Sequence, residues 1–366
     1  MLTILTYDQI DQAQWQALVN QSPTATWFQT PEAYQFYASV AEMTPFAVGV
    51  VESQECDSEA MGNGLWAIGN ETSGAESSAH TPSLKGVCVG YITKETNTIK
   101  QHLTCRAIII GGPLLAEDIS ATALAELLNA VAQCPAFRLS PFASRLTNPI
   151  YIESRNFHDY SKWKSIFEAN GFAYQPHLNI QVTCDETHTL SEQRIRQVKK
   201  ALKNGAEIVE AQNEQDIRDW YQILSQLYRE KVRTPLFSEE FFLQFYRNGV
   251  GKYLLVKYDG KVIGGMMCPI LKSKAIYEWY VCGLDEEYRD LYPSVVATYA
   301  AIEYAKEHGL KLFDFMGAGK PDEPYGVRDF KAEFGGELVE HGRFLCVRKP
   351  LLYKIGKLGV KYLKRK

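Results

Sequence analysis

Hydrophobic positions along this chain change period often, and each change marks an element. Residues 2–7, "LTILTY", alternate as a short strand, and Asp8 to Val19 then places Trp15, Leu18 and Val19 on one helical face. In "WFQTPEAYQFYASVA", Thr30 is a helix N-cap, Pro31 takes the first helical position and Glu32 falls in the first turn. "PFAVGVVE", "LKGVCVGYITKE" and "TCRAIIIGG" are strands, the last stopped by Gly111, Gly112 and Pro113. An amphipathic helix over 121–132, a strand "PIYIESRNF", a helix ending at Gly171 and a strand "HLNIQVTC" complete the first half.

The second half repeats the style. "LSEQRIRQVKKALKNG" is a basic helix closed by Gly205, and "AEIVEA" is a strand. Helices over "EQDIRDWYQILSQLYREKV" and "SEEFFLQFYRNG" lead to a hairpin turning at Asp259-Gly260. A strand "KAIYEWYVCGL", a helix "PSVVATYAAIEYAKEHG" and a strand "LKLFDFMG" follow. That last strand runs into a glycine-proline loop and then into Phe330-Lys331.

The element order predicts an α+β (mixed α/β) fold: two similar domains in tandem, each a mostly antiparallel sheet covered by helices. The expected boundaries are 1–178 and 179–341. Residues 53–83, rich in Gly, Ser, Glu and Asn, read as a flexible insert, and 342–366 is expected to pack back on the first domain.

Composition narrows the class. The 366 residues are 46% hydrophobic, with a net charge of only −4, so no overall field gathers nucleic acid. Eight cysteines without a CxxC pair and seven scattered histidines point to reduced buried thiols and no metal. The polar N-terminus and the lack of a long apolar run predict a cytoplasmic protein without a signal peptide.

The hairpin "YLLVKYDGKVIGGMM", strand "AIYEWYVCGL", helix "SVVATYAAIEYAKEHG" and strand "LKLFDFMG" resemble an acyl-CoA N-acyltransferase (GNAT-type) domain. In that fold two strands splay apart and the helix N-terminus receives a pyrophosphate. The corresponding loop here, "DEEYRDLYPS", has no glycine, carries acids and includes Pro293, so it is a poor cradle for CoA.

Two such domains in tandem resemble the Fem-type peptidoglycan-bridge aminoacyltransferases. The motifs are "WFQTPEAYQFY", "QRIRQVKKALKNG", "YREKVRTPLFSEEFF", "FDFMG" and "GVRDFKAEFGG". The chain departs from the family in lacking a lysine after its first helix, where Phe36-Tyr37 stands, and in lacking a helical arm. The resemblance implies an acyl- or aminoacyltransferase forming an amide on an amine of a cell-envelope (peptidoglycan-type) precursor. The donor would be aminoacyl-tRNA or acyl-CoA, with no cofactor bound. A CoA-dependent N-acetyltransferase acting on a nucleotide sugar or polysaccharide unit, and a noncatalytic precursor- or RNA-binding module, are the alternatives.

Aminolysis of an activated ester needs alignment and oxyanion stabilisation rather than a nucleophilic side chain. The catalytic candidates are Lys331, expected to be framed by Phe330 and Phe334, and Tyr280 as proton donor. Strand alternation pairs Tyr277 with Trp279 and Glu278 with Tyr280 on opposite faces. Phe330, Arg233, Tyr277, Glu278, Tyr325 and Arg328 are candidate substrate contacts. Arg196, Lys199, Lys200 and Lys203 share one helix face, which is either simply solvated or grips tRNA or a precursor's phosphates. The tail mixes Leu351, Leu352, Ile355, Leu358, Val360 and Leu363 with seven cations. It is either docked on the protein or peripheral to an anionic membrane.

Overall fold

A computed structural model describes residues 1–53, 82–95, 97–133 and 148–363. The expected insert falls almost wholly outside these residues. In chain order the first half holds β1 (Leu2–Thr6), α1 (Gln12–Gln21), α2 (Pro31–Ser39), β2 (Met43–Glu52), β3 (Ser83–Thr93) and α3 (Thr98–Thr104). It continues with β4 (Ala107–Gly111), β5 (Leu114–Leu115), α4 (Ala121–Gln133), β6 (Tyr151–Asn156), α5 (Lys164–Ala169) and β7 (Ala173–Gln175).

The second half holds β8 (Leu178–Thr183), α6 (Glu192–Lys203), β9 (Glu207–Glu210), α7 (Glu214–Leu227), α8 (Glu239–Asn248), β10 (Gly251–Tyr258) and β11 (Lys261–Leu271). After these come β12 (Ala275–Tyr277), β13 (Tyr280–Gly283), α9 (Pro293–Glu307), β14 (Leu312–Asp314), α10 (Gly326–Ala332) and β15 (Glu337–Glu340). Last are β16 (Arg343–Val347) and α11 (Pro350–Leu363).

Two sheets result. The first runs β1-β2-β3-β4-β6-β16-β7, with β5 beside β3; the second runs β15-β8-β14-β12-β11-β10-β9, with β13 beside β11. All pairings are antiparallel except β4–β6 and β12–β14. Strand β16 lies between β6 and β7, so the chain returns to the first sheet after completing the second.

Both faces of each sheet are covered, which explains the near-continuous apolar runs. On β11, Met266 and Cys268 face the core beneath α6 and α9, while Met267 and Leu271 face a core shared by the two halves. Local rules hold at the ends: Thr30 accepts from Ala33 N–H at the start of α2, and Asp259 and Gly260 both take positive φ in the β10–β11 turn.

One strand departs from the sequence expectation. "AIYEWYVCG" is two strands, because two adjacent peptides bond in opposite directions. Glu278 N–H donates to Asp314 O (2.9 Å) on β14, and Trp279 N–H donates to Met267 O (3.1 Å) on β11. Beyond this point β13 stays with β11 alone, so β13 and β14 part here.

Candidate functional site

The point where β13 and β14 part is bordered by the turn Phe315-Met316-Gly317, where Met316 is left-handed at φ 57°. A non-glycine residue there costs of order 1–3 kcal/mol and persists only when its surroundings hold it. Lys331, on α10, supplies the hold. Its ammonium donates to Phe315 O (2.8 Å) and Gly317 O (2.9 Å), the carbonyls on either side of Met316, and pairs with Glu278 Oε1 at 2.9 Å. The side chains of Lys331 and Glu278 are only 10% and 5% exposed.

An ammonium has three protons, and all three are committed here. Lys331 therefore fixes backbone and a carboxylate, and in this arrangement has no donor left for a developing oxyanion. Burial pushes the Glu278 carboxyl upward against the pull of Lys331, and Glu278 Oε2 finds no partner. Burial also raises Asp314, although Asn179, Gln181 and Met316 N–H all donate to it.

The expected aromatic frame is different in the structure. The Lys331 ammonium lies 5.2 Å from the Phe315 ring, whereas Phe330 and Phe334 hold the guanidinium of Arg194 at 4.5 and 5.1 Å. The reason is the helix end: Phe330 on α10 and Phe334 in the turn that follows it both face α6, while Lys331 points to the other side. Phe330 thus braces α6 against α10 rather than caging the lysine.

Tyr277 is also relocated. It is 1% exposed, with ring centroids 5.4 Å from Phe28 and 6.0 Å from Phe157, so it is core between the halves and no substrate contact. Arg328 clamps its own loop through the carbonyls of Ala318, Lys320 and Glu323. Tyr325, exposed, packs beside Gly319, where a Cβ would lie 2.8 Å from its ring.

Tyr280 does not share a face with Glu278, because the strand breaks between them. It sits among Phe241, Phe242, Trp279 and Tyr228, and its half-buried hydroxyl has no hydrogen-bond partner among the described residues. Burial, then the neighbouring Tyr228 and Tyr91, raises it well above the ordinary phenol range, so it stays a neutral donor. Arg233 ends a single π-helical turn (Tyr228–Val232) at φ 54° and is exposed; its Nε donates to Glu230 O at 3.4 Å. Tyr228 on that turn lies 6.2 Å, ring to ring, from Tyr280.

At the start of α9, Asp285 accepts from Ser294 N–H (3.0 Å) and from the Ser294 hydroxyl (2.5 Å). A carboxylate already occupies the helix terminus that a pyrophosphate would need. The "DEEYRDLYPS" segment showed the acids in sequence but not which one would fold back.

The family model described as an acetyltransferase (GNAT) domain matches residues 191–331. A lipid II:glycine glycyltransferase of Staphylococcus haemolyticus is 33% identical over 108 residues, 28% of this chain and 25% of that protein. One of Staphylococcus aureus is 31% identical over 102 residues, 26% of this chain and 24% of that protein. The chain thus spans about a quarter of the length of the curated relatives it matches. The crystal structure of FemX superimposes with a TM-score of 0.64 over 96% of this chain and 99% of that one, at 14% identity. The chain has a Fem-type GNAT fold.

Within this Fem-type fold α6 turns a basic face to solvent. Arg196, Lys199, Lys200 and Lys203 are all exposed; Arg196 pairs with Glu192 and Lys200 with Asp290 at 2.7 Å. Sequence reading missed the pairing of Arg194 with the two phenylalanines and the role of Asp314. Arg194 could have been found as the α6 cation that falls off the basic face. Asp314, between Phe313 and Phe315 at a strand end, gave no local signal.

A cavity of about 670 Å³ lies elsewhere, lined by Gln14, Leu18, Ser83, Lys85 and Asp118. It includes none of the candidate site residues.

Proposed function

We propose that the protein transfers an aminoacyl or acyl group from an activated ester to an amine of a cell-envelope precursor. The observation that carries this reading is a Fem-type fold whose α9 N-terminus is closed by Asp285, which disfavours CoA as donor and favours aminoacyl-tRNA. The names of the curated relatives, lipid II:glycine glycyltransferases, support the acceptor class.

In this reading the acceptor amine attacks the ester carbonyl where β13 and β14 part. A tetrahedral oxyanion forms, the C–O bond breaks, and the proton lost by nitrogen ends on the leaving hydroxyl. Tyr280 offers the free neutral O–H that can serve the oxyanion or the leaving oxygen. Lys331 is a positioning residue: it holds Met316 and Gly317 beside that point and keeps Glu278 paired. Arg233 and Tyr325 line the approach.

The test is mass spectrometry of a muramyl-pentapeptide precursor after incubation with glycyl-tRNA or acetyl-CoA. A mass gain of one aminoacyl unit with the charged tRNA is expected. Acetylation alone would move the function to the second reading, a CoA-dependent N-acetyltransferase, which the GNAT family match favours.

We also propose that α11 and α3 meet an anionic membrane. Leu351, Ile355 and Leu358 on α11 and Ile99 and Leu103 on α3 are exposed apolar residues on neighbouring helices, beside Lys354 and Lys357. Among the described residues no helix is long and apolar enough to cross a membrane.

A further inference from the structure

The face of the first sheet that looks toward the second half changes character across its width. On β2, β3 and β4 it presents Ala47, Val87, Val89, Ile108 and Ile110 to the shared core. On β6 and β16 the same face carries Tyr151, Glu153, Arg155 and Arg343, all half-buried. Side chains two apart on a strand share a face, so these groups converge by register rather than by chance.

Their bonding is one-sided. Glu153 accepts from Arg155 Nε at 2.9 Å and from Arg343 at 3.0 Å, so one carboxylate serves two guanidinium groups. Arg343 also donates to His177 Nε2 at 2.9 Å; a guanidinium cannot accept, so this imidazole nitrogen carries no proton. Arg106 is half-buried and stands two positions before Ile108, the register partner of both Tyr91 and Glu153, so it falls on the same face. The group therefore holds three arginines against one carboxylate.

Its donors are also in surplus. Neither terminal nitrogen of Arg155 bonds a described residue, and its side chain is 34% exposed. The Tyr91 residue is only 5% exposed, yet its hydroxyl is not enclosed and has no partner among the described residues. The group adjoins the Lys331 turn: His177 Nε2 lies 3.6 Å from the position a Cβ would take on Gly317, whose carbonyl Lys331 holds. Uncompensated positive charge beside free, converging N–H and O–H groups is the arrangement that binds an oxyanion.

We propose that Arg155 is the centre of an oxyanion-binding subsite, set in place by Glu153 and Arg343 and completed by Arg106 and the Tyr91 hydroxyl, which takes a phosphate or carboxylate of the acceptor substrate. The word acceptor rests on the transfer reaction proposed above; the anion site does not. The site is separate from the α6 basic face and from the α9 terminus, which is already closed.

Calorimetric titration of the whole protein with inorganic pyrophosphate and, separately, with N-acetyl-alanyl-alanine tests it. One-site binding of at least one probe is expected, weakened about 10-fold or more in Arg155→Gln and about 3- to 10-fold in Tyr91→Phe. Lys261→Gln, at the exposed start of β11, should bind as the native protein does. Binding of pyrophosphate alone identifies a phosphate, and of the peptide alone a terminal carboxylate. Tyr91→Phe removes one oxygen from a buried ring and keeps its packing, so it reads the site even if Arg155→Gln folds poorly. No saturable binding of either probe, or equal affinity in native protein, Arg155→Gln and Tyr91→Phe, would overturn the proposal. The titration needs no donor and no turnover. Lost anion binding would thus remove the subsite and leave the reaction standing, whereas absent transfer with intact binding would do the reverse.

Discussion

Where the two halves meet, one stretch of the junction is aromatic. Trp27 and Trp279 lie 5.9 Å apart, Phe28 and Trp279 5.1 Å, Phe36 and Phe241 5.4 Å, and Trp27 and Phe245 6.1 Å. The neighbouring stretch holds Glu153, Arg155, Arg343, His177, Lys331 and Glu278. The first has edge-to-face rings and almost no polar atoms to satisfy, so it sets the relative placement of the halves by burial and ring packing. The second holds charges that are costly to bury unless paired, and it leaves some donors without partners. A junction built only for stability would extend the first pattern. The second is maintained at an energetic cost, which is why function is assigned to it.

The contrast breaks most strongly in the aromatic stretch. Phe28→Ala should destabilise the protein by about 3–5 kcal/mol in denaturant unfolding, because it empties a fully buried site shared by both halves. A loss below about 1 kcal/mol would mean that the halves are not joined there.

Lys331→Met should cost about 3 kcal/mol and lower turnover about 100-fold or more, since it strands Glu278 and releases the Met316 turn. Adding Glu278→Met should recover part of the stability and none of the turnover. Recovery of both would make the pair purely structural.

Acid should act on the polar stretch selectively. Burial by itself would raise Glu153, but Arg155 and Arg343 outweigh it and hold its carboxyl near 2 instead of 4.5. A depressed native value means that the stabilisation is complete above the unfolded value and is lost as pH falls from 4.5 toward 2. That limb amounts to about 3 kcal/mol, should appear in stability measured against pH, and should flatten in Glu153→Gln.

The smallest expected effect is on α6. Lys199→Gln with Lys203→Gln should change stability by less than about 0.5 kcal/mol. If α6 grips tRNA, the salt slope of tRNA binding should fall by about one per cation removed. An unchanged slope would leave this face merely solvated.

Much of the fold was legible along the chain. Thr30-Pro31 started α2, Asp259-Gly260 turned the hairpin, and helix and strand periods were readable because each element buries a regular stripe. The tandem α+β organisation followed from their order. What the chain could not show was where side chains from distant strands converge. Phe330 looked like a partner for Lys331 because it is adjacent in sequence, but a helix sends adjacent residues to different sides. Tyr277 to Tyr280 looked like one alternating strand because alternation does not record which neighbour each peptide bonds.

Sequence alone determined most elements and their order, because period, caps and turns are local properties. Tertiary structure decided that Asp285 folds onto α9, that Lys331 spends its donors on a left-handed turn, and that Glu153, Arg155 and Arg343 share one recess. Those outcomes depend on sheet register and on β16 returning to the first sheet, 190 positions in sequence from the carboxylate its arginine meets. No local pattern encodes contacts at that range.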